Sequence, residues 1–181
     1  MGWTIPPVLP DVLLHYSEDP NISGFEPHVP RTNPTATAAV WTVDPARAPL
    51  YWFPRDCPRV AVWANNSDQA ERLGRLFSTR ASRVQVAPLA WFDAIRTCRL
   101  YEYRFEPTPF APWDDAEGQW VAHRRVVPAS VEPVGDLFER HDAAGVELRF
   151  AADLAPVRAT ALTSHLPFSI VRFPVKRPGS E

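Results

Sequence analysis

His15, Tyr16 and Ser17 stand between the apolar pair Leu13-Leu14 and the carboxylates Glu18 and Asp19. A short buried strand ending in this polar set presents one imidazole to a ligand, because the backbone ladder fixes where the side chain points. The same imidazole also suits a structural role, partly buried and satisfied by a neighbouring carbonyl or by Glu18 or Asp19. Further along, Val40-Trp41-Thr42-Val43-Asp44 leads to Leu50-Tyr51-Trp52-Phe53, whose rings suit either a core or a stack against a planar ligand. Gln119-Trp120-Val121-Ala122-His123 places an amide at the head of another apolar run. Arg55, Asp56 and Arg59 surround Cys57 as a rigid salt-bridged turn or as an anion clamp.

Other chemistries lack their residues. No two of His15, His28, His123, His141 and His165 have i, i+2 or i, i+4 spacing, so no metal is predicted. Cys57 and Cys98 form no C-x-x-C pair and read as two reduced thiols, and the arginines beside Cys57 predict a lowered thiol pKa. The G-x-S-x-G elbow, P-loop, G-x-G-x-x-G fingerprint, H-E-x-x-H helix and EF-hand pattern are all absent. With 7 glycines the chain has few places where backbone approaches phosphate closely.

The elements that must position these residues are short. Strands are expected over Val12–Tyr16, Ala38–Val43, Val60–Trp63, Val84–Ala87, Leu100–Phe105, Trp120–Ala122, Val126–Val127 and Val146–Phe150. Asp44-Pro45 predicts a helix start, with Ala46, Pro49, Leu50 and Phe53 on one face and Pro54 as its stop. Further helices are expected from Ser67 or Asp68 through Phe77, from Pro88 through Ile95, over Pro133–Ala144 closed by Gly145, and from Asp153 to Thr163. Residues 26–34 and 107–118 read as irregular. Strands outnumber the helices long enough to cross over, which favours α+β with a central split or mixed sheet and short flanking helices. The expected organisation is an N-terminal segment 1–11, one domain over 12–175 and a frayed tail 176–181.

Bulk properties agree with a soluble, cytoplasmic domain. A chain of 181 residues buries about 70% of its unfolded surface, and 45% hydrophobic with 22% charged residues are ordinary values. Its 21 prolines remove amide donors and fix φ, which predicts stiff loops. A net charge of −2 argues against general nucleic-acid binding. No apolar run approaches the length of a membrane span, and prolines 6, 7 and 10 interrupt the one candidate leader. Oligomeric state is open.

Residues 12–132 resemble the ADP-ribosyltransferase-like fold, in the branch with a histidine–tyrosine–glutamate set. Leu13-Leu14-His15-Tyr16-Ser17 is similar to its first motif, Trp41 and Tyr51 to its second, and Gln119-Trp120-Val121-Ala122 to its third. The resemblance implies NAD as ligand or substrate. His15 would bond a ribose, the Tyr16 backbone would hold the nicotinamide amide beside Ser17, Trp41 would hold the place of a tyrosine, and Tyr51 would stack. His15 would face Tyr51 and Gln119 across a cleft; apart from the resemblance, Arg55 as an anion clamp would stand at the pocket mouth. Gln119 departs from the pattern: an amide replaces the carboxylate that stabilises developing positive charge, which points to nucleotide binding or an altered reaction, such as a divergent glycosyl or phosphoryl transfer, more than to efficient protein ADP-ribosyl transfer. The segments His-Tyr-Ser-Glu-Asp-Pro and Phe-Pro-Arg-Asp-Cys-Pro-Arg also resemble those of bacterial proteins of unknown function. Two other functions fit the residues: a protein-interaction module that exposes Trp52 or Trp113, and a hydrolase of phosphorylated small molecules using His15 and arginines.

Overall fold

The apolar run that ends at His15 forms strand β1, Leu13–Ser17, and Asp19 then closes a turn by accepting the Asn21 amide at 2.8 Å. The computed structural model describes residues 9–29, 35, 37–113, 117–173 and 178; most of the N-terminal segment and of the tail lie outside them. Strand β2 is Val40–Val43. The helix expected from Asp44 is absent. Asp44 accepts the Arg47 amide at 2.9 Å in a turn, and a single 3-10 turn covers Ala48–Tyr51. Pro49 is the reason: it has no amide to return to the preceding turn, so a helix begun at Pro45 fails within its first four residues.

Strand β3, Arg59–Trp63, is followed by α1, Ser67–Phe77, capped by Asn66 rather than by Ser67 or Asp68: its side chain accepts the Gln69 amide at 2.9 Å. Strand β4 is Arg83–Pro88, and a 3-10 turn at Leu89–Trp91 leads into α2, Phe92–Thr97. Then come β5 (Tyr101–Phe105), β6 (Ala111–Pro112), β7 (Gln119–Ala122) and β8 (Ser130–Pro133). Val126 makes only an isolated bridge with Phe25, not the expected strand. Helix α3, Leu137–Ala143, starts four residues later than predicted, because the strand β8 holds Pro133 and Asp136 supplies the cap to Phe138 and Glu139. Gly145, at φ +66°, turns the chain into β9, Val146–Ala151. Helix α4 is Ala155–Thr163, with Asp153 accepting the Ala155 amide, and β10 is Phe168–Val171.

The α+β expectation holds among the described residues, but the strands form two sheets, and the chain divides into two compact units. The first unit, Met1–Ala48 with Tyr101–Pro133, holds a six-stranded antiparallel sheet in the order β6-β7-β2-β1-β5-β8. Alternation sorts its side chains. Leu13, Val40, Tyr103, Phe105, Trp120 and Ala122 share the face that packs against Phe25, Phe110 and Val126.

The second unit, Pro49–Leu100 with Val134–Glu181, holds a four-stranded mixed sheet in the order β10-β3-β4-β9, with β4 and β9 parallel. Val60, Val62, Val84 and Val86 meet Leu73 and Phe77 of α1 and Ala161 of α4 on one face. Both faces of β3 are buried, since Arg59, Ala61 and Trp63 alternate with the two valines and are buried as well.

Candidate functional site

The sheet of the first unit is split beside His15. β1 pairs with β5 along its whole length, from Leu13 with Phe105 to Ser17 with Tyr101, yet it pairs with β2 only at Leu14 with Val43. Where the two strands part, Nδ1 of His15 lies 2.8 Å from the Trp41 carbonyl. A carbonyl only accepts, so Nδ1 carries the proton of this bond. The Phe25 ring packs edge-on against the imidazole, 4.8 Å between centroids.

The registers decide which candidate residues meet. Val43 is opposite both Leu14 and Gln119, so Val43, Trp41 and Gln119 share a face with Leu14, Tyr16 and Glu102. His15 and Ser17 belong to the other face, the one that carries the core. Gln119 and His15 therefore do not face each other as expected, because a strand period of two puts neighbours of opposite parity on opposite sides. The Trp41 carbonyl lies in the plane of the sheet, which is why His15 reaches it.

On the Trp41 face the groups converge. Trp113 meets the Trp41 ring at 4.9 Å and 67°, and its amide donates to the Gln119 carbonyl at 2.8 Å. Trp41 Nε1 is buried with no hydrogen-bond partner among the described residues. Nearby on the same face the Tyr16 hydroxyl donates to Glu102 at 2.7 Å, and Arg104 Nε donates to the same carboxylate at 2.9 Å. Glu102 is buried and accepts both bonds. Gly118 sets the entry to β7: at φ +77° it sits where a side chain would run into Arg47, and its carbonyl accepts the Asp44 amide at 3.0 Å.

Tyr51 and Arg55 belong to the second unit. Tyr51 ends the 3-10 turn and packs against the cluster of Leu50, Ala61 and Trp63, and Arg55 is exposed. The segment around Cys57 is a structural turn. Arg59 is buried and donates to the carbonyls of Leu50 and Cys57, each at 3.0 Å, with its guanidinium 4.8 Å from the Phe53 ring centre. Asp56, at φ +66°, pairs with Arg172 at 2.7 Å. The lowered Cys57 pKa expected from the arginines is not found. Burial pushes the thiol up to about 12, against the opposing effect of Arg59. Trp52 is buried, and Trp113 is half-buried with its ring packed on Trp41.

The burial of one titratable group escaped the sequence reading. His141 is fully buried, its Nδ1 donates to the Leu137 carbonyl at 2.6 Å, and its Nε2 has no hydrogen-bond partner among the described residues. Burial pushes its pKa down to about 4, aided by the charges of Arg59 and Arg83 and opposed by the Leu137 bond. The rings of Phe53 and Trp52 flank it at 5.0 and 5.6 Å. Its signal was present: Leu137 and His141 are four apart, on the buried face of α3.

No curated protein and no solved structure matches this chain. A family model matches residues 14–175, and the chain therefore belongs to that family, a family of unknown function (DUF6886).

Proposed function

We propose that the first unit binds NAD or a related nucleotide at the split between β1 and β2, without efficient ADP-ribosyl transfer. The observation that carries this is the Trp41 indole. A buried N–H without an acceptor costs about 1–3 kcal/mol, and a carbonyl or ring nitrogen of a nicotinamide or purine would relieve it. Trp113 and Trp41 offer aromatic surface, and Gln119 on the same face offers both a donor and an acceptor. The adjacency of β1, β2 and β7 also supports the ADP-ribosyltransferase-like reading, since the first motif, the Trp41 half of the second and the third fall on these neighbouring strands, while Tyr51 of the second motif belongs to the other unit. Relative to that reading the ligand-facing set is revised. Trp41, Trp113 and Gln119 contact the ligand, while His15 positions the Trp41 strand from the opposite side.

Transfer is disfavoured by two features. Gln119 brings no charge to a developing oxocarbenium ion, and the buried carboxylate on this face, Glu102, already holds Tyr16 and Arg104. A thermal-shift titration with NAD, ADP-ribose and nicotinamide tests the proposal. Ligand at 100 times its dissociation constant stabilises by about 2.7 kcal/mol. A melting temperature unmoved by all three at millimolar concentration would overturn it.

A further inference from the structure

β9 is the outer strand of the four-stranded sheet, paired with β4 on one side, and among the described residues no strand pairs with its other edge. An unpaired edge is a template for another strand, and chains blunt such edges with short length, bulges or proline. The other three sheet edges are blunted in this way. β6 is two residues long and ends in Pro112, β8 ends in Pro133, and β10 directly follows Pro167. β9 runs six residues without a proline.

Its side chains alternate by type. Val146, Leu148 and Phe150 share the face of Arg83, Gln85 and Ala87, and Glu147 and Arg149 share the face of Val84 and Val86. A cavity of about 390 Å³ borders the strand, with Phe92 of α2, Phe138 and Asp142 of α3, and Val146, Leu148 and Phe150 in its wall. Phe92 remains 39% exposed although its ring meets Phe150 at 5.0 Å and Phe138 at 5.3 Å. The strand edge thus lies beside an aromatic hollow.

We propose that β9 is a homodimer interface, with two copies of this chain joined antiparallel, edge to edge, about a two-fold axis at Leu148. The sequence Val146-Glu147-Leu148-Arg149-Phe150 complements itself in that register. Glu147 and Arg149, which pair with each other at 2.6 Å within the chain while Arg149 also donates to the Phe77 carbonyl, fall opposite Arg149 and Glu147 of the second copy and extend that pair into a four-charge ladder; Leu148 falls opposite Leu148, and Val146 opposite Phe150. Opposite charges and apolar side chains placed directly across a ladder are the pairs that stabilise a sheet. A shift of the axis to Arg149 would set arginine against arginine, which selects the first register. The second copy's Phe150 then lies over the hollow beside Val146, and the two sheets join into one of eight strands. A closed two-fold contact of this kind ends at the dimer.

Sedimentation equilibrium of the full chain tests this together with cysteine placement in a Cys98→Ser background. The expected wild-type mass is twice 20.4 kDa. Residues paired across antiparallel strands have Cα atoms about 4.5–5.5 Å apart, within disulfide range. Mild oxidation therefore links Leu148→Cys into a covalent dimer and leaves Phe150→Cys unlinked. Arg149→Glu shifts the protein to monomer, and the exchange Glu147→Arg with Arg149→Glu restores the dimer. A wild-type mass of one chain at every concentration overturns the proposal. So does a Leu148→Cys variant that links no faster than Phe150→Cys, a readout that holds even if Arg149→Glu fails to fold.

Discussion

Nδ1 of His15 donates to the Trp41 carbonyl at 2.8 Å, across the point where β1 and β2 stop pairing. That bond replaces the ladder contacts the split removes, so the imidazole holds the strand that carries the Trp41 indole. His15→Ala should lower stability by about 1 kcal/mol, the usual net value of such a bond, and should also reduce the thermal shift given by NAD. Urea denaturation gives the first and melting with and without NAD the second; a variant identical to wild type in both would remove this role.

Trp41→Phe separates the ring from its donor. It keeps an aromatic face against Trp113 and deletes a buried N–H that has no partner among the described residues. The variant should be as stable as the parent or slightly more so, and should bind NAD about tenfold more weakly, the loss of one hydrogen bond of about 1.4 kcal/mol. Isothermal titration checks the affinity; equal binding by the two proteins would show that the indole donor is not part of the site.

Cys57 should be inert in the native protein. Burial pushes its thiol up to about 12, so the thiolate that reacts is scarce at neutral pH. Labelling with a disulfide reagent at pH 8 should modify one thiol per chain, Cys98, and two after denaturation. Rapid modification of Cys57 in the folded chain would contradict the burial argument.

His141 makes stability fall in mild acid. Its native pKa is pushed down to about 4 from an ordinary 6.5, so below pH 6.5 the unfolded chain binds a proton that the native one does not. The stabilisation from keeping it neutral is fully present above pH 6.5 and is lost as pH falls towards 4, by roughly 3 kcal/mol over the window. His141→Phe should flatten the profile between pH 4 and 6.5. Equal slopes in wild type and variant would assign the acid sensitivity to other groups.

Local chemistry carried much of the fold into view. Leu13-Leu14 before His15 marked β1, the short apolar run Val60–Trp63 marked the buried strand β3, and Asp153 marked the start of α4. What failed needed knowledge of partners. Asp44-Pro45 looks like a helix start until Pro49 is counted as a missing donor. β6 and β8 are exposed along their whole length, so neither carries an apolar alternation to detect. The site was half legible. The segments around His15, Trp41 and Gln119 do lie on neighbouring strands, but which of them share a face depends on the Leu14–Val43 and Val43–Gln119 registers, and a one-residue slip in either would reverse it. The thiol of Cys57 misled for a related reason: neighbouring arginines are visible in sequence, and burial is not.

The most direct measurement is an amide chemical-shift map of the isotope-labelled protein during titration with NAD. Binding at the split predicts that the perturbed amides cluster in residues 14–17, 40–43, 113 and 119–121, together with the indole N–H of Trp41. An absence of shifts at saturating NAD, or shifts confined to the α3–β9 hollow of the second unit, would contradict nucleotide binding by the first unit.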